Sequence, residues 1–222
     1  MTRRHYDEQL QALHAALIEM GEMISGAIGR AVSALLARDA QSAREVIAYD
    51  EEIDRQERAV ETLCYKLLLS QQPVAGDLRR VSSALKIITD MERIGDHAAD
   101  ISELTLMLRE LPAMSNAHLR EMAAQTTQML LSSLEAYVSQ DMEKANAVIA
   151  QDDAVDALFV AVKNDLVAAI LADPKAGETA ADLLMAAKYF ERMGDDAERI
   201  AKWAIFRLTG THDLKVGEIP AE

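Results

Sequence analysis

The chain carries one pattern twice. Val46, Asp50, Ile53, Asp54, Val60 and Leu67 match Val148, Asp152, Val155, Asp156, Val162 and Ala169, each 102 positions later. Glu92-Arg93-Ile94-Gly95-Asp96 matches Glu191-Arg192-Met193-Gly194-Asp195, 99 positions later, so the three-residue difference falls in the loop before the third helix of each half. Within each copy apolar residues recur every three or four positions, and no alternating stretch is long enough for a strand. A repeat of this length with helical periodicity predicts an all-α protein: six long helices forming two tandem, duplicated three-helix bundles.

Prolines divide the pattern. Pro73, Pro112, Pro174 and Pro220 each stand where a helical pattern lapses, and Pro112 lies near the midpoint. The repeats are therefore expected over 1–111 and 112–222, together forming one compact unit. The first helix carries Leu10, Leu13, Leu17, Met20, Ile24, Ala27, Ala31 and Leu35. Asp39 is placed to cap the second, which repeats Val46, Ile53, Val60 and Leu67 every seven residues. After a turn at Gln71, Pro73 and Gly76, Asp77 is expected to cap a third helix with Leu78, Val81, Leu85 and Ile88 on its inner stripe; Leu111-Pro112 ends this half. Ser115 or Asn116 opens the fourth helix, Asp141 caps the fifth, and Asp173-Pro174 precedes the sixth, which Gly210 is placed to stop near Leu208. The tail from Thr211 is expected to be mobile.

Composition narrows the function. Half of the 222 residues are hydrophobic but only 4% are aromatic, so the core is aliphatic and filled with Met. With 23 Lys and Arg against 37 Asp and Glu, the formal charge is −14, which argues against a nucleic-acid binder. One cysteine, Cys64, excludes an internal disulfide and a thiolate zinc cage, and is expected in the core. No apolar run approaches the ~20 residues needed to span a bilayer, and Asp7, Glu8 and Gln9 occupy the place of a signal peptide's apolar stretch, so a cytoplasmic protein is expected.

The carboxylates are the unusual feature. Continuing the third helix's stripe by threes and fours leads to Glu92, Gly95 and Ala99, and Glu92, Asp96 and Asp100 then share one face. On the second helix the stripe runs through Asp50 and Glu57, with Asp54 one turn from Asp50. The second half repeats this with Asp152 and Asp156, then Glu191 and Asp195. Like charges four residues apart repel, and more strongly when desolvated. Arg93 and Arg192 could neutralise Asp96 and Asp195, or multivalent cations could bridge the helices through hard oxygen ligands suited to Mg²⁺, Ca²⁺, Mn²⁺ or iron. A solvated acidic face is the ordinary alternative in so acidic a chain, but recurrence of the pairs in or beside the apolar stripe keeps metal binding beside it. Gly95 and Gly194 serve either close helix packing or access for an ion; Gly21, Gly26 and Gly29 are expected to be packing contacts.

Other chemistry is thin. His97 points about 100° round the helix from Asp96 and is expected as a surface or core residue rather than a ligand. No Glu-x-x-His occurs, which counts against a ferritin-like di-iron oxidase, and no phosphate loop, Gly-x-Ser-x-Gly elbow or nucleophile–base pair is visible. The expectation is a protein that is not an enzyme.

The stretch Gln71-Gln72-Pro73-Val74-Ala75-Gly76-Asp77-Leu78-Arg79-Arg80, running on to Glu92-Arg93-Ile94-Gly95-Asp96-His97, closely resembles the PhoU family, and the Glu-Arg-x-Gly-Asp signature recurs in both halves. The resemblance implies a cytoplasmic negative regulator of phosphate uptake and of the phosphate-starvation response. Such a protein would act on the ATPase subunit of the phosphate ABC transporter and on a phosphate-responsive sensor histidine kinase, and would form a homodimer. It also implies metal ions, iron or zinc among them, with manganese, magnesium or calcium suited to the same oxygens. By position, the first site would use Asp50, Asp54, Glu92, Asp96 and Asp100, and the second Asp152, Asp156, Glu191 and Asp195. Arg199 stands where the first half has Asp100, and Phe159 where it has Glu57, so the second cluster is expected to be smaller, weaker or absent. The alternatives are a metal-dependent helical-bundle enzyme and a purely structural scaffold with ion-paired acids.

Overall fold

Apolar residues spaced by threes and fours are buried by packing helix on helix. The computed structural model describes residues 3–70, 75–108 and 116–211, and every regular element in it is helical. The helices are α1 (Arg3–Ala37), α2 (Ala40–Ser70), α3 (Ala75–Met107), α4 (Ala117–Ser139), α5 (Met142–Ala172) and α6 (Gly177–Thr209), with a 3₁₀ turn at Pro174–Ala176 before α6. Each half packs its three helices against one another, and the halves join where α3 meets α6 and α1 meets α4. No helix among the described residues is long and apolar enough to cross a membrane. Gly76, expected in the turn with Gln71 and Pro73, lies instead in the first turn of α3; Gln71 and Pro73, the proposed boundary after residue 111, and the tail beyond Thr211 lie outside the described residues.

The turn that folds α1 onto α2 is built again between α4 and α5. Arg38 (φ 54°) and Gln140 (φ 61°) adopt the left-handed conformation that ends a helix. Asp39 and Asp141 follow, their N–H groups returning to the carbonyls of Ala34 and Ala136 at 2.9 and 3.0 Å. Asp39 Oδ1 then accepts from the N–H groups of Gln41 and Ser42, and Asp141 Oδ1 from that of Lys144. Asp173 accepts from Lys175 N–H and opens the turn through Pro174; Gly210 (φ 78°) closes α6. Asp77 does not cap α3, which begins two residues earlier, and it lies inside the first turn instead.

The stripes of α1 and α2 are buried as their spacing predicts, from Leu13 to Leu35 and from Val46 to Leu67, with Cys64 among them. On α3 the buried set is Val81, Ala84, Ile87, Ile88, Met91, Ile94, Ala98 and Ile101, while Leu78 is 48% exposed. The true stripe is rotated from the one drawn through Leu85, Glu92 and Ala99, which are only partly buried. The carboxylates therefore stand at the rim of the helix seams rather than within the core. Gly21 and Gly95 are close packing points, against Leu134 and Ile53; Gly26 and Gly29 face open space and pack against nothing.

Candidate functional site

Seams between antiparallel helices leave a groove on each side of the buried stripe, and α2–α3 and α5–α6 each line one with acids. In the first groove, Asp50, Asp54 and Asp96 bring carboxylate oxygens within 4.8 Å of one another. Asp50 and Asp54 are partly buried and Asp96 is exposed, with Glu92 and Asp100 partly buried beside them. Asp50 Oδ1 is buried and has no hydrogen-bond partner. Gly95 makes the approach possible, since a Cβ there would lie 3.1 Å from Ile53 Cγ2 and 3.7 Å from Asp50 Oδ1. An open cleft of 310 Å³ extends from Asp50 and Asp96 along Arg93, His97, Asp100 and Glu103.

Little positive charge balances this groove. Burial and then Asp96, Asp54 and Asp100 push the Asp50 carboxyl up to about 6. Burial and then Asp96, Glu57, Asp54 and Asp50 push Glu92 up to about 7. Asp96 is raised by burial, Asp54 and Asp100, with only His97 opposing. Arg58 reaches Asp54 at 3.7 Å, but both side chains are largely solvated. Arg93 does not turn to Asp96, as its spacing suggested; it reaches across to Asp196 of the other repeat at 3.4 Å. His97 is held at the rim, Nδ1 3.2 Å from Asp100 Oδ2 and its ring 5.2 Å from that of Tyr189, while Nε2 is buried without a partner. Burial lowers its pKa, so a neutral ring donating from Nδ1 to Asp100 fits the contact.

The second groove has its own cations. Asp152 and Asp195 are partly buried and Asp156 is exposed. Glu191 is met by Lys188 Nζ at 2.5 Å, and Glu198, the acid that raises Asp152 most after burial, is met by Lys202 Nζ at 2.5 Å. Lys188 also lies over the Phe159 ring, 5.5 Å from its centre, which explains the aromatic residue in place of Glu57. The equivalent positions of the first repeat hold Thr89 and Glu103. Asp152 is still pushed up to about 6, by burial before any charge, and Asp195 is raised for the same first reason. Arg199 was expected to fill the place of Asp100; it turns away instead, pairing with Asp90 at 3.0 Å and with Asp196. Arg192 likewise makes no ion pair with Asp195 among the described residues. Spacing alone missed Lys188 and Lys202, although each lies three or four residues from its acid on the same helix.

An all-oxygen set with an orphaned buried oxygen, and carboxyls raised by burial and then by neighbouring acids, fits a hard cation in the first groove. The residues of the second fit one less well, because two lysines already occupy the cation's electrostatic role. Neither groove presents a nucleophile beside a base.

Comparison with known proteins follows the same division into halves. Residues 17–105 and 119–204 each match the PhoU domain. A phosphate-specific transport system accessory protein PhoU homolog of Clostridium acetobutylicum is 34% identical over 95% of this chain and 97% of its own. The Caulobacter vibrioides homolog is 33% identical over 94% and 92%. The crystal structure of PhoU from Pseudomonas aeruginosa superposes with a TM-score of 0.86 at 29% identity, covering 93% of this chain and all of that one. The phosphate transport system regulatory protein PhoU of Streptococcus pneumoniae gives 0.86 at 26% identity over 94% of this chain. With both halves matched, and an acidic groove on the equivalent seam of each, the chain belongs to the PhoU family.

Proposed function

We propose that the chain is a non-catalytic, cytoplasmic regulator of phosphate uptake that restrains the phosphate-starvation response, with a metal-holding groove in its first repeat and a lysine-neutralised groove in its second. The relatives' names as phosphate transport accessory and regulatory proteins support the role. The observation that carries the metal assignment is the buried, unpartnered Asp50 Oδ1, whose carboxyl is raised by burial and then by Asp96, Asp54 and Asp100. Asp50, Asp54, Glu92, Asp96 and Asp100 would hold the ion or ions; Mg²⁺, Ca²⁺, Mn²⁺ and ferric iron suit that donor set better than zinc, which favours nitrogen and sulfur. Asp152, Asp156, Glu191 and Asp195 would instead be structural acids. A bound cation would lock α2 against α3 and so fix the surface the first repeat, 1–111, presents beside the second, 112–222.

The partners in this reading are the ATPase subunit of the phosphate ABC transporter and a phosphate-responsive sensor histidine kinase, with a homodimer as the working form. In a strain lacking the protein, the wild-type chain should return a starvation-response reporter to its repressed level when phosphate is plentiful. It should also retain both partners in a pull-down. A chain that leaves the reporter derepressed and captures neither partner contradicts the regulatory role.

A further inference from the structure

The acidic grooves account for the carboxylates but not for the arginines at one end of the bundle. There α1 and α3 begin and α4 and α6 finish, bringing together Tyr6, His14, Arg79, Arg80, Tyr137 and Arg207. Arg207 is only 4% exposed. Its guanidinium lies over the Tyr137 ring, 4.5 Å from the centre, and Nη1 donates to the Tyr137 carbonyl in the last turn of α4. Tyr137 in turn donates from its hydroxyl to the Arg80 carbonyl at 2.6 Å, tying α4 to α3. Gly210, one turn beyond Arg207, places the exit of α6 against Arg79, whose Nη1 is 3.3 Å from where a Cβ would stand.

These ties leave a concentration of unused donors. Arg79 Nε, Arg207 Nε, Tyr6 Oη and His14 Nε2 are all buried without a hydrogen-bond partner. Among the described residues the one carboxylate in contact with these arginines is Asp77, 3.6 Å from Arg80. In a chain of charge −14, an excess of buried positive charge is the reverse of what composition alone would place here. A buried guanidinium without an anion is costly, and several donors brought together from three helices match an acceptor-only group.

We propose that this end of the bundle binds a small tetrahedral oxyanion, inorganic phosphate being the simplest, through the guanidinium groups of Arg79, Arg80 and Arg207, with Tyr6 and His14 donating to its remaining oxygens. Tyr6 is 6% exposed and Tyr137 is fully buried, so the site lies below the surface, with the Arg80 side chain, 35% exposed, as its open edge; that setting suits a small free ion over a lipid headgroup or a partner's phosphorylated side chain. Forked, planar guanidinium groups suit such an anion better than lysines would. The assignment goes beyond the regulatory reading and stands on different residues from the metal groove.

The test is isothermal titration calorimetry of the full chain with inorganic phosphate, with chelator present so that no bound metal supplies the anion's partner. Saturable one-site binding is expected, weakened at least tenfold in Arg79→Gln and in Arg207→Lys, and unchanged in Arg55→Gln, which removes an exposed arginine far along α2. Arg79 is only partly buried, so Arg79→Gln keeps the experiment informative if Arg207→Lys unfolds, as judged by circular dichroism. The alternative occupant is a carboxylate of the chain itself, Asp213 being two residues beyond Thr211. No phosphate binding by the full chain overturns the proposal. So does binding that ignores both arginine substitutions, or that emerges only in Asp213→Asn.

Discussion

The two grooves descend from one pattern yet solve the same electrostatic problem in opposite ways. Each sets paired acids against a seam whose glycine, Gly95 or Gly194, lets the neighbouring helix come close. In the second groove, Lys188 and Lys202 sit on Glu191 and Glu198, and Phe159 gives Lys188 a ring to lie on. In the first groove, Thr89 and Glu103 stand at the lysine positions, and Asp50, Glu92 and Asp96 are raised by burial first and by neighbouring acids after it. The duplicated halves thus differ in counter-charge: one carries lysines against its acids, and the other has none at those positions. The helix crossing between the halves is unequal too. On one side Asp90, Arg93, Asp196 and Arg199 form a paired set; the equivalent positions hold Tyr189, Arg192, His97 and Asp100, joined by a ring contact and one histidine–carboxylate bond.

The largest effect should come from that crossing. Arg93→Ala combined with Arg199→Ala leaves Asp196, which is fully buried, with no cation, and should destabilise the chain by about 3–5 kcal/mol in urea denaturation. Arg192→Ala on the opposite side is exposed and should cost less than about 1 kcal/mol. Equal losses would show that the crossing is symmetric in energy after all. Next in size is a transplant. Thr89→Lys with Glu103→Lys should give the first groove the second's cations, abolish ion binding there, and raise the melting temperature of chelator-treated protein by a few degrees, equivalent to about 1 kcal/mol. The reverse change, Lys188→Thr with Lys202→Glu, should destabilise metal-free protein by about 1 kcal/mol and create a new dependence on added divalent ions. Differential scanning calorimetry with and without ions reads both.

The smallest effect is a pH slope. Asp50 and Asp152, raised to about 6, and Glu92, raised to about 7, hold protons in the folded chain that the unfolded chain has released. Their contribution to stability is therefore present below the ordinary carboxylate range and is lost as pH rises to about 6–7. Chelator-treated protein should lose stability across that window. The slope should shrink more in Asp50→Asn with Glu92→Gln than in Asp152→Asn, as followed by denaturant midpoints at several pH values.

What was legible in the residues follows the range of each interaction. The seven-residue recurrence of Val46, Ile53, Val60 and Leu67 named the buried face of α2 outright, and Asp39 and Asp141 announced their caps. On α3 two adjacent stripes satisfy the same spacing, one through Leu85, Glu92 and Ala99 and one through Ala84, Met91 and Ala98. Which of them faces the core is decided by α1, α2 and α6, not by α3 itself, so the spacing of α3 alone sets its acids too far inward. Lys188 and Lys202 were visible as same-helix neighbours of their acids but carried no weight beside the acid pairs. Arg93 with Asp196 and Arg199 with Asp90 could not be read from spacing, because they join residues more than a hundred positions apart.

The inequality of the grooves is tested most directly by elemental analysis of untagged protein, comparing wild type with Asp50→Asn/Asp96→Asn and with Asp152→Asn/Asp195→Asn. Tightly held metal should be present in wild type, fall to background in the first pair and persist in the second. Equal loss from both pairs, or no metal in the wild-type chain after reconstitution with Mn²⁺, Mg²⁺, Ca²⁺ or iron, would contradict it.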